Sequence, residues 1–126
     1  MKFARIVFLS AGIYGLLVVL PQYALETRIG IDTPPPITHP EFFYGFAGVA
    51  LAWQIAFLLI AREPVRLRPI MVPAVVEKFG FVAAVCVLYA QRRLPVGQIM
   101  FGAGADLILG VLFVAAFLRT PSEMTG

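Results

Sequence analysis

The stretch VGQIMFGAGADLILGVLFVAAFL, residues 96–118, contains one ionisable residue, Asp106, in a run otherwise free of charge. At about 1.5 Å of rise per residue, a helix of that length covers the roughly 30 Å hydrocarbon core of a bilayer. Apolar and polar residues do not alternate along it, which argues against a strand of a membrane barrel. The stretch reads as a transmembrane helix. Working outward, three more runs of the same kind precede it, at 3–20, 39–61 and 69–91.

Composition agrees with four spans. Of 126 residues, 60% are hydrophobic and 13% charged, too few charges to clothe a soluble domain of this size. Secreted, disordered and nucleic-acid-binding classes are excluded on that ground. The net charge of +3 is no nucleic-acid signal, because the basic residues stand at the ends of apolar runs. The expected fold class is all-α: an integral membrane four-helix transmembrane bundle, left-handed, forming a single domain over 1–126.

The residues between the runs act as punctuation. Thr38-His39-Pro40-Glu41 reads as a capping box, with Thr38 as N-cap and Glu41 reaching back to it. Pro34, Pro35 and Pro36 form a stiff spacer before it. Pro64 and Pro69 bracket the link between the second and third runs, and Leu94-Pro95 marks the turn before the fourth. Pro73, inside the third run, is a candidate kink. Lys2 and Arg5 before the first run resemble a leader, but no small-x-small cleavage site follows, so an uncleaved span is expected.

Orientation follows from Lys and Arg near the span ends. With the N-terminus inside, Lys2, Arg5, Arg62, Arg66, Arg68 and Arg119 fall on the inner side. Only Arg28, Arg92 and Arg93 fall on the outer side. Both termini are therefore expected in the cytoplasm, and the protein in a bacterial-type inner (plasma) membrane, with the lipid bilayer as its first partner. Arg62, Arg66 and Arg68 would also meet anionic headgroups.

Charged residues inside a span are expensive, so Glu77, Lys78 and Asp106 each call for a reason. Counting residues from the inner ends puts Tyr14, Gln54 and Glu77 in one layer, with Asp106 roughly 6 Å further out. Gly102, Asp106 and Gly110 share a stripe of α-helical spacing, which places Asp106 in a helix–helix contact. Gln54 shares a face with Ala47 and Ala50, and Glu77 with Gly80 and Ala84. Side chains lean toward the N-terminus of their own helix. Lys78 and Asp106 should therefore lean apart, and a Glu77–Gln54 hydrogen bond is the favoured contact.

The plain reading of these groups is interhelical glue, at about 0.6 kcal/mol per contact. A carboxylate is a poor choice for glue alone, since Asn or Gln would serve without a charge. Tyr14, Gln54, Glu77, Lys78 and Asp106 are thus the candidate ligand or proton site. No catalytic residue, cofactor or metal is called for. His39 and Cys86 are each the only residue of their kind, a poor start for a metal site. Phe42, Phe43, Tyr44 and Phe46 read as an interfacial aromatic belt.

Two functions follow as expectations. The first is a non-enzymatic structural or accessory membrane component, acting within a larger complex. The alternative is a proton-coupled carrier or small-molecule binder using Glu77 and Asp106, for which the small size implies a homo-oligomer. A lipid-acting enzyme is the weakest class, since it would need a pocket lined by both carboxylates.

Overall fold

The structure is a computed structural model describing residues 2–94 and 97–122. Among these residues the regular structure is entirely helical: α1 (Lys2–Val19), α2 (Glu26–Asp32), α3 (Pro40–Arg62), α4 (Met71–Ala90) and α5 (Gln98–Arg119). Single 3₁₀ turns extend α1 over Leu20–Ala24 and lead into α4 over Arg68–Ile70. Four of the helices are long and apolar enough to cross a membrane, with mean hydropathies between 1.9 and 2.2. The fifth, α2, is a short surface helix in a segment that carried no helical pattern; Arg28 and Asp32 pair along it at 3.0 Å.

Local chemistry explains most of the boundaries. Pro40 opens α3, because its fixed φ suits a first helical residue and its missing N–H would have gone unpaired there. That makes His39 the N-cap and moves Glu41 to the second helical position. The expected Thr38–Glu41 capping box is therefore not formed. No side chain caps the helix, and Glu41 meets the His39 ring instead, at 3.2 Å. Pro73 is the third residue of α4, among the first four whose N–H groups a helix never pairs, so α4 passes through it unbroken. At the other end of α4, Arg93 N–H donates to Leu88 C=O at 2.8 Å and Arg92 N–H to Tyr89 C=O at 2.9 Å. This is a Schellman ending, and Arg92 takes its left-handed position with φ 59°, a place glycine usually holds. Pro95 and Val96 lie outside the described residues.

Packing divides the bundle into two hairpins. α1 lies along α3 and α4 along α5, and α1 joins the hairpins through α5, while α3 and α4 scarcely meet. In the half nearer the chain termini the interior is closed. Phe8, Phe57 and Phe113 are fully buried there with Ile60, Met71, Ala74 and Ala116. Phe8 stacks on Phe113 at 4.3 Å, and Phe57 meets Phe113 edge-on at 5.0 Å. The same end is tied by Arg68, whose Nε donates to Phe117 C=O at 3.1 Å while its guanidinium covers the Phe117 ring.

Small residues do much of the interior work. Ala4, Ala11, Ala47, Ala50, Ala61, Ala74, Ala103 and Ala116 are buried, as expected where helices approach closely without a hydrophobic drive from water. Large apolar side chains point outward instead, including Leu17, Phe42, Phe101 and Leu118.

Candidate functional site

Where α3 and α4 part, a cavity of about 730 Å³ opens, with walls from α1, α3, α4 and α5. Trp53 in its wall packs against Phe57 of the aromatic cluster, and the cavity extends to Gln22 and Phe46 in the loop half. All five residues singled out from the sequence, Tyr14, Gln54, Glu77, Lys78 and Asp106, border it.

The charged group is built by α4 and α5. Gly110 lets the helices approach, since a Cβ there would stand 2.9 Å from the Phe79 ring. This places Lys78 and Asp106 across a narrow seam. Lys78 Nζ donates to Asp106 Oδ1 at 3.3 Å and lies 3.5 Å from Glu77 Oε2. One ammonium is thus shared by two carboxylates, and Phe57 covers it at 5.2 Å from the ring centroid. The side chains of Glu77 and Asp106 are 22% and 17% exposed, against 5% for Lys78. Negative charge therefore fronts the cavity and positive charge sits behind it.

Two expected contacts are corrected here. Lys78 and Asp106 do not lean apart: the long lysine stem spans the offset in height, and a buried ammonium with a carboxylate in reach pairs with it. The Glu77–Gln54 hydrogen bond is not formed, because the cavity separates α3 from α4. Gln54 turns back on its own helix, its Nε2 donating to Ala50 C=O at 2.8 Å. Its Oε1 occupies the space where a Cβ on Gly15 would stand and accepts no hydrogen bond. Gln54 is only 2% exposed, so this is a buried acceptor without a donor. Glu77 Oε2 makes no hydrogen bond either, although the Lys78 ammonium stands 3.5 Å from it.

The apolar walls escaped the sequence reading. Trp53, Phe46 and Val49 on α3 face Pro73, Val76, Gly80 and Phe81 on α4. Their helical spacing was visible in the sequence, but the same spacing describes any lipid-facing or packed stripe. His39 and the remaining interfacial aromatics (Phe42, Phe43, Tyr44) are not among the cavity's residues, and Cys86 is exposed on the outer surface. Comparison with protein-family models, curated proteins and solved structures returns no match to this chain.

Proposed function

We propose that this chain is a four-span integral membrane protein that binds and carries a small, largely apolar molecule bearing one positive charge. The observation behind this reading is the cavity between α3 and α4, with two carboxylates at its wall and a single ammonium behind them. One further cation makes the cluster neutral, and a low-dielectric surround strengthens that attraction. The volume lies within the roughly 300–1,000 Å³ usual for small-molecule sites. A purely structural or accessory bundle has no use for such a gap, so the ligand reading is preferred to that first expectation.

Entry is lateral, from the lipid, through the side where α3 and α4 part. We place both termini in the cytoplasm of a bacterial-type cell, on the six-to-three excess of Lys and Arg at that side. A reporter fused to the C-terminus and active only in the cytoplasm tests this, and activity of a periplasm-only reporter would reverse the orientation.

Glu77→Gln is the discriminating variant. It leaves the Lys78–Asp106 pair intact while removing the excess negative charge. In proteoliposomes with an imposed pH gradient, uptake of a lipophilic amine should fall at least tenfold in the variant, with unfolding in detergent unchanged. Undiminished uptake would end the carrier reading.

A further inference from the structure

The polar atoms bordering the cavity are unbalanced. Gln54 Oε1 and Glu77 Oε2 are buried acceptors with no hydrogen bond. The one cationic donor of the lining, Lys78, is already engaged with the carboxylates of Asp106 and Glu77. What the site lacks is a second cationic donor for its two carboxylates. Resting on the cation-binding reading above, we propose that the ligand is a protonated amine that brings its own N–H groups, bound in preference to a quaternary ammonium of the same shape.

The two ligand classes place opposite demands on a site. A quaternary ammonium has no N–H, is weakly hydrated and is satisfied by aromatic faces. Trp53, Phe46 and Phe81 supply these. A primary ammonium is compact and strongly hydrated, so it leaves water only where acceptors replace that hydration. Glu77 and Gln54 are such acceptors, placed on opposite walls on α4 and α3. Gly15, bordering the same cavity, provides the space that the Gln54 amide occupies, where a side chain would collide with it. A site built to hydrogen-bond its ligand discriminates strongly against analogues that lack the matching group.

Trp53 is the only tryptophan of the chain, so intrinsic fluorescence reports on this cavity alone. The protein in nanodiscs of neutral lipid is titrated with 4-phenylbutylammonium, with its N,N,N-trimethyl analogue, and with neutral 4-phenylbutanol; partition into empty discs is subtracted. The primary ammonium should bind at least tenfold more tightly than the trimethyl compound, and Gln54→Met should narrow that ratio. Equal affinity for the two cations, with the alcohol weaker, overturns the N–H preference and leaves the cation site standing. An alcohol as tight as the ammonium, or an ammonium affinity unchanged by Glu77→Gln, overturns the cation site and this inference with it. The comparison of ligands needs no variant, so a Gln54→Met chain that fails to fold leaves the main test intact.

Discussion

Replacing Lys78 with Met should destabilise the bundle by about 3–5 kcal/mol, the usual cost of removing one partner from a buried ion pair. Lys78 is 4% exposed, with carboxylates at 3.3 and 3.5 Å. Taking away the ammonium leaves two part-buried negative charges close together and no counter-charge. The loss belongs to the abandoned carboxylates rather than to the lysine stem, which Met largely replaces. The double variant Lys78→Met/Asp106→Asn keeps the native net charge of the cluster and should recover most of the stability. Denaturation of the purified protein by SDS titration reads both. A single variant as stable as the native chain would mean that the pair is not holding α4 to α5.

The second large effect is expected at Phe57, which touches more of the fold than any other ring. It is fully buried, lies against Phe8 of α1 and Phe113 of α5, stacks obliquely on Trp53 and covers the ammonium of Lys78 on α4. All four long helices meet at this one side chain. Phe57→Ala should cost about 3 kcal/mol, chiefly as lost packing, since lipid tails are as apolar as the core. Trp53 emission should shift to the red as its neighbour disappears. Phe101→Ala, at a residue 82% exposed, is the control and should stay within about 0.5 kcal/mol. Equal losses from the two variants would contradict the closed aromatic cluster.

The long helices were legible in the sequence to within a few residues, because uninterrupted apolar length is a strong and local signal. So was the set of polar residues that border the cavity, since an ionisable group in such a run has few reasons to be there. Three features were not legible. α2 is too short to carry a hydrophobic period. The capping box failed because Pro40 moved the helix start by one residue, which a motif read by spacing alone misses. The Lys78–Asp106 pair was misjudged because lean was weighed and reach was not. The cavity itself lay beyond sequence reasoning: it depends on which helices touch, and sequence neighbours α3 and α4 are the pair that does not.

That last arrangement has a mechanical meaning. Two hairpins meet along one spine, α1 against α5, and at the Phe57 ring, and are joined by the short segment after α3. Such an object has one soft coordinate, the angle between its two covers. The interlocked phenyl rings sit at the bound corner, where a small rotation moves them little. The carboxylates lie together on the α4–α5 cover, across the cavity from Gln54 on the other cover, so the same rotation changes their distance from it. A slight opening or closing of the hinge would therefore widen or narrow the cavity before it disturbed the ring packing. The architecture thus separates the width of the gap between the covers from the packing that holds them together.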